Sequence, residues 1–344
     1  MQLRTLLALT AILSLTLALT GCHTGSGKPR VAFVSNNAHS FWTFAEKGAQ
    51  KAANEFGVEL TFRRPPDGSA KTQREMIQDL LNRGFKGVAV SPNDPKNNLS
   101  FYQSRVAPKM ALVMTDNDLP DPSARKCYIG THNYRAGRAA GELVKKALPK
   151  GGTVAIFVGQ MDATNAVERR QGLLDELAGL DQKEMDKVTP ADTEDLELGN
   201  GYTLLVTKTD GAKQEVCQSQ AQDLLIKHPT VGCLVGLWEY NPPAILAAVS
   251  KKKGAKPAIV AFDENDLTLE GIKNDEVVGT IVQNPYQFGY QSVKVLAGLA
   301  QGKDDILKTW PGIEKDNSIF VPHRVITKEN VAAFQAEVKK LLAE

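Results

Sequence analysis

One feature restricts the fold of this chain more than any other: short apolar runs alternate with segments of helical spacing, and the alternation occurs twice. Residues 30–35 (RVAFVS), 58–63, 87–90 and 111–115 read as strands, and 41–56, 70–83 and 96–109 as the helices between them. Gly57 and Gly84 stop the first two helices, as glycines just past a helix end do. After a connection at 126–131 the pattern restarts, with helices at 134–148, 167–177, 214–227 and 244–253 and strands at 152–158, 204–208, 232–237 and 258–262. Near-continuous Val/Ile/Ala/Leu strands separated by helices predict an α/β fold with parallel sheets covered on both faces. Two such runs predict two Rossmann-like lobes. Two segments fit less well. Residues 181–200 are acidic with no clear period and read as an irregular excursion. Residues 328–343 are amphipathic and read as a final outer helix.

The N-terminus sets the address. Arg4 precedes an apolar run from Leu6 to Leu19, and the segment closes on Leu19-Thr20-Gly21-Cys22. Charge, a short apolar core, then small residues is the layout of a secretory signal, and the core is short for a membrane span of about 20 apolar residues. The Leu-x-Gly-Cys ending resembles a bacterial lipobox. That implies removal of residues 1–21, lipid on Cys22, and a protein facing the periplasm or cell exterior. Residues 22–29, rich in Gly and Ser, then form a flexible tether.

Composition narrows the partners. A formal charge of +2 gives no electrostatic case for nucleic acid. Beyond Cys22 the cysteines are Cys127, Cys217 and Cys233, at no metal-ligand spacing. Cys127 and Cys233 lie in apolar, strand-like runs and read as buried thiols; a Cys217–Cys233 disulfide is left open. No two histidines lie at ligand spacing, so neither a metal nor a cofactor is expected.

In open α/β sheets, ligands bind beyond the carboxyl ends of the strands. Ser35, His39, Phe41 and Trp42 follow the first strand, Ser91 the third, and Asp116 and Asn117 the fourth. In the second run, Arg169 lies in the helix after a strand, Trp238, Tyr240 and Asn241 follow another, Asp263 follows a third, and Gln283 ends the apolar segment 277–282. Carboxylates, amides, one arginine and aromatic faces together suit a small neutral polyol. A phosphorylated ligand would ask for a glycine-rich turn or several basic residues, and neither is present.

These segments carry a family resemblance. The opening VAFVSNNAHSFWTFAEKGAQKAA, the turns GVAVSPND and ALVMTDND, then IGTHNYRAGRAAGE, NAVERRQG, VAFDEND and VGTIVQNPYQFGY are together similar to type I periplasmic sugar-binding proteins of the ribose/galactose class. The likeness runs from Arg30 over almost the whole remaining chain. It implies a monosaccharide held between an aromatic side chain from each lobe, hinge closure about three crossovers near Thr131, Gln283 and Pro311, and delivery to an ABC permease by a monomer. It implies a first lobe of residues 30–131 plus 285–311 and a second of 132–284 plus 312–344. The departures at His39, Ser91 and Asn117, where the family often has Asn or Asp, Asn, and Arg, put ribose itself in doubt. Three other readings stay open. A ligand-presenting partner of a membrane sensor needs the same chain. A glycosidase needs a carboxylate pair, although no nucleophile elbow or phosphate loop is present. A DNA-binding regulator needs a helix-turn-helix ahead of Arg30, where the signal segment stands.

Overall fold

The computed structural model describes residues 27–181, 185–314 and 316–343. The expected signal segment, Cys22 and most of the tether lie outside the described residues. The chain starts with β1 (Arg30–Val34), α1 (Phe41–Phe56), β2 (Glu59–Arg63), α2 (Ala70–Asn82), β3 (Gly87–Val90), α3 (Pro95–Phe101), β4 (Ala111–Thr115) and β5 (Cys127–Gly130). It crosses to a second lobe made of α4 (Asn133–Ala147), β6 (Gly152–Val158), α5 (Thr164–Ala178), β7 (Leu196–Gly199), β8 (Tyr202–Thr209), α6 (Gln214–Lys227), β9 (Cys233–Gly236), α7 (Asn241–Val249), β10 (Ala258–Phe262), α8 (Asp266–Lys273) and β11 (Gly279–Val282). It returns for α9 (Pro285–Ala300) and β12 (Ser318–Phe320), then crosses again for β13 (Arg324–Ile326) and α10 (Val331–Ala343).

The first sheet has the order β12-β5-β4-β3-β1-β2 and the second β13-β11-β10-β9-β6-β8-β7. All pairings are parallel except β11 with β13 and β7 with β8. Each sheet carries an apolar cluster on both faces. In the first lobe, Val31 and Phe33 face one side and Ala32 and Val34 the other. This explains why the strands read as unbroken apolar runs rather than alternating ones.

Close helix contacts fix the layers. α1 lies against α9 with no side chain at two points, since a Cβ at Gly48 or Gly289 would run into the backbone of Tyr286 or Ala45. α4 meets α5 in the same way, with Gly137 against Arg169 and Gly172 against Tyr134. Gly57 takes a left-handed φ of 68° and donates its N–H to Ala53 O, ending α1 where the sequence places its end.

The structure revises several boundaries. β12 pairs with β5, so residues 318–320 belong to the first lobe and the third crossing falls at 321–323, not near Pro311. The connection at 126–131 contains β5, and the excursion at 181–200 ends in β7, which pairs with β8. The helix expected over 96–109 is α3 followed by a wider turn, in which Ala107 N donates to Tyr102 O five residues back. That turn brings Tyr102 and Val106 into the core. Cys127, Cys217 and Cys233 are free, buried thiols, so the 217–233 disulfide is not formed. Among the described residues, no helix is long and apolar enough to cross a membrane.

Candidate functional site

Two aspartates hold matching positions at the facing ends of the sheets. Asp116 stands one residue past β4 and Asp263 one past β10, with left-handed φ values of 62° and 63°. Asp116 donates its N–H to Ile129 O of β5 at 3.2 Å and accepts Tyr128 Oη on its carbonyl at 2.8 Å. Asp263 donates to Ile281 O of β11 at 2.9 Å and accepts Thr280 Oγ1 at 2.8 Å. In each lobe the neighbouring strand thus holds the aspartate's backbone from both sides. A non-glycine residue in this conformation is uncommon, and Asp and Asn tolerate it best.

Arg169, on α5, ties the second lobe together at the cleft. It is 1% exposed. Its Nε donates to Asn133 Oδ1 at 3.0 Å and its Nη1 to Leu237 O at 2.9 Å, the guanidinium lies over Phe262 at 4.8 Å, and Nη1 comes within 3.8 Å of Asp263 Oδ2. Gln283 Nε2 donates to the other Asp263 oxygen at 2.9 Å. In the first lobe, Ser91 Oγ donates to Asp116 Oδ2 at 3.0 Å. Burial pushes Asp116 up to about 6, against the pull of Arg169 from the other lobe and with a further push from Asp263. Burial likewise raises Asp263, opposed by Arg169 and Gln283. Arg169 thus lies beside Asp263 in its own lobe and close enough to Asp116 of the other to act on its charge.

Buried polar atoms are almost always hydrogen-bonded, so those at a cleft without a protein partner are available to a ligand or a water. Arg169 Nη2, Trp238 Nε1, Glu264 Oε2, Asn117 Oδ1, Asn165 Oδ1 and Thr131 Oγ1 are all of this kind. A cavity of about 270 Å³ opens between the lobes beside the hinge, lined by Asp116, Thr131, Asn133, Thr164, Glu168 and Phe320 among others. Another, of about 480 Å³, lies at the opposite strand ends of the second lobe, by Leu148, Lys256 and Glu276, away from these groups.

Four expected ligand contacts turn out to serve the walls. Trp42 is 1% exposed, sits in the first lobe's core against Phe33, and gives its indole N–H to Asn36 Oδ1 at 2.9 Å. The reason is helical spacing: position 42 shares the inward face of α1 with Ala45 and Ala49. Phe41, its edge-on neighbour, is only partly buried and packs against the same core beside Phe288. Ser35 is fully buried and spends its hydroxyl on Asn37 O at 2.6 Å. Tyr240 gives its hydroxyl to Asp210, and Asn241, also fully buried, donates to Asp210 Oδ2 at 2.8 Å and accepts Trp238 N at 2.9 Å. The Trp238 ring lies over Gly159, where no side chain fits. His39 is exposed at the rim and pulls on Glu239 across the gap.

Sequence reasoning missed Gln73, which is the first lobe's internal clamp. Its Nε2 donates to Ser35 O and Ser91 O, both at 2.8 Å, and its Oε1 accepts Asn93 N at 2.9 Å. It thereby joins the loops after β1 and β3. Thr131, expected only as a hinge position, and Asn165 and Glu264, polar residues beyond strands, were not among the expected ligand contacts; their unpaired buried atoms distinguish them only in three dimensions.

Asp116 has a measurable energetic consequence. Its carboxyl sits at about 6 in the fold against an ordinary 3.8, so ionising it costs folding free energy that grows as pH rises between those values. Asp116→Asn keeps an acceptor for Ser91 and suits the backbone angle. It is expected to stabilise the ligand-free protein by about 1–2 kcal/mol at neutral pH, a gain that vanishes near pH ~4. Urea unfolding at the two pH values checks this.

The family model described as "Periplasmic binding protein domain" matches residues 31–304, and the chain belongs to that family. Among curated relatives, the D-allose-binding periplasmic protein of Escherichia coli (strain K12) is 21% identical over 293 residues, covering 83% of this chain and 88% of that protein. The D-ribose/D-allose-binding protein of Pseudomonas aeruginosa is 25% identical over 320 residues, covering 87% and 89%. Among solved structures, an ABC transporter solute-binding protein from Burkholderia graminis in complex with D-arabinose superposes with a TM-score of 0.75 at 28% identity, covering 89% of this chain and 98% of that one.

Proposed function

We propose that this protein is the extracytoplasmic, lipid-anchored substrate-binding component of an ABC-type sugar importer, and that it acts as a monomer without covalent chemistry. The observation that carries this reading is Arg169 beside Asp263, Asp116 at the matching strand end of the other lobe, and unpaired donors and acceptors left over on both lobes. Carboxylates accept from sugar hydroxyls, Arg169 Nη2 and Trp238 Nε1 donate to oxygens, and Phe41 and Trp238 supply faces for the C–H side of a ring. A ligand that bridges both lobes binds the closed state better and so shifts the hinge toward it. The sugar-binding names of the relatives support the ligand class, and Leu19-Thr20-Gly21-Cys22 supports the anchor.

Tryptophan emission tests the cleft. With Trp42 locked in the core and Trp238 at the mouth, titration with a panel of pentoses and hexoses is expected to shift emission at micromolar sugar. Trp238→Phe should abolish the shift, and Trp42→Phe should retain it. A flat response to every sugar, with amino acids active instead, would overturn the carbohydrate reading and leave the fold.

A further inference from the structure

The second lobe's mouth carries more negative charge than a neutral sugar requires. Glu239 follows β9, and Asp263 and Glu264 follow β10. Asp263 has Arg169 close by at 3.8 Å. Glu239 has a neutral hydrogen-bond donor, Asn265 Nδ2 at 2.6 Å, and beyond it only the pull of exposed His39 from the rim. Glu264 Oε2 is buried without a hydrogen bond, and the cation that acts on it, Arg324, is already paired with Glu337 at 2.8 Å. Across the cleft, Asp116 adds a fourth carboxylate whose close partner, Ser91, is also neutral. Burying an unpaired carboxylate is costly, and the fold answers by raising its proton affinity. Burial and the adjacent Asp263 push Glu264 up to about 8, and burial raises Glu239 too.

A second observation is independent of the acids. Arg169 is almost completely buried, yet its Nη2 has no acceptor, and the Trp238 indole N–H has none either. The cleft therefore asks for oxygens at one place and a strong, positively charged donor at another. Hydroxyls alone satisfy the hydrogen bonds but bring no charge to Glu239 and Glu264, whereas Asp116 and Asp263 already have Arg169.

We propose that the ligand is an amino sugar, its protonated amine received by Glu264 with Glu239 and Asp263 beside it, and its ring and hydroxyl oxygens accepting from Arg169 Nη2 and Trp238 Nε1. This rests on the sugar-binding reading and narrows it from a neutral polyol to a cationic one. Binding of the ammonium favours the ionised form of Glu264, so the carboxyl proton leaves as the ligand enters.

The test is calorimetric titration of the mature protein with the 2-amino-2-deoxy forms of glucose, galactose and ribose, each beside its neutral parent. At least one amino sugar is expected to bind 10-fold or more tighter than its parent. Its heat should depend on the buffer's ionisation enthalpy at about pH 7, which reports proton release. Glu264→Gln should bring the ratio within about threefold, with Glu239→Gln as the second variant should Glu264→Gln fold poorly. Neutral sugars binding as tightly as or tighter than their amino forms, or a ratio untouched by both variants, would overturn the proposal while sparing the sugar-binding reading. No response to either series would remove both.

Discussion

Arg169→Ala is expected to abolish sugar binding at micromolar concentration, a loss of 100-fold or more, and to destabilise the protein by about 3–5 kcal/mol. The two effects have one origin. The side chain gives up bonds to Asn133 and Leu237 and its place over Phe262, and it is the cation facing both Asp263 and Asp116. Without it two buried carboxylates remain uncompensated, and their proton affinities climb further above the ordinary value. A carboxylate raised in the fold costs stability as pH rises, so the deficit against the parent protein should shrink on going from about pH 7 to about pH 4. Arg169→Lys should recover part of the stability and little of the binding, because one ammonium cannot hold Asn133 and Leu237 and still offer a donor to the cleft. Urea unfolding at both pH values and calorimetric titration measure these losses. A variant that binds as the parent does would remove Arg169 from the site.

The strand ends were the legible part of the site, and the reason is topological. A parallel α/β sheet delivers the residue after each strand to one edge, so Asp116 and Asp263 could be read from position, whereas Arg169, inside α5, rested on the resemblance. What the sequence hid was orientation. Trp42 and Phe41 are adjacent and both aromatic, but a helix turns neighbours about 100° apart, and the Ala45 and Ala49 face claims Trp42. Tyr240 and Asn241 follow a strand as a ligand contact would, yet Asp210, which follows β8, draws both inward. Gln73 shares the spacing of Ile77 and Leu80, so it lies inside with them; its four-way bonding had no local sign. β12 and β13 are three residues each, too short for any pattern, and exist because β5 and β11 offer edges to them. Long apolar strands thus declared themselves, whereas short or polar elements took their places from tertiary context.

Gly137→Val is expected to cost about 3 kcal/mol or more and to weaken sugar binding at least tenfold, although Gly137 lies outside the cleft. A Cβ at this position would stand 2.8 Å from the Arg169 carbonyl carbon and nearer still to its oxygen, where backbone cannot yield as a flexible side chain does. The reciprocal contact, Gly172 against Tyr134, means that α4 and α5 touch backbone to backbone along this line. Tyr134 Oη bound to Asp175 at 2.9 Å and the ion pair of Arg138 with Glu176 at 2.6 Å hold the same two helices together, so the strain has no easy outlet. α5 would have to move outward, carrying Arg169 away from Leu237 and Asp263. Intrinsic propensity works the other way, since replacing a mid-helix glycine by alanine gains about 1 kcal/mol in a free helix. Gly137→Ala should nonetheless be destabilising, with the contact outweighing the propensity. Lys146→Val, on the exposed side of α4, controls for the β-branched residue and should change stability by under about 1 kcal/mol. Stability and affinity falling together in the two Gly137 variants, and neither falling in the control, would show that the helix contact sets the position of the arginine; a stable, fully binding Gly137→Val would show that it does not.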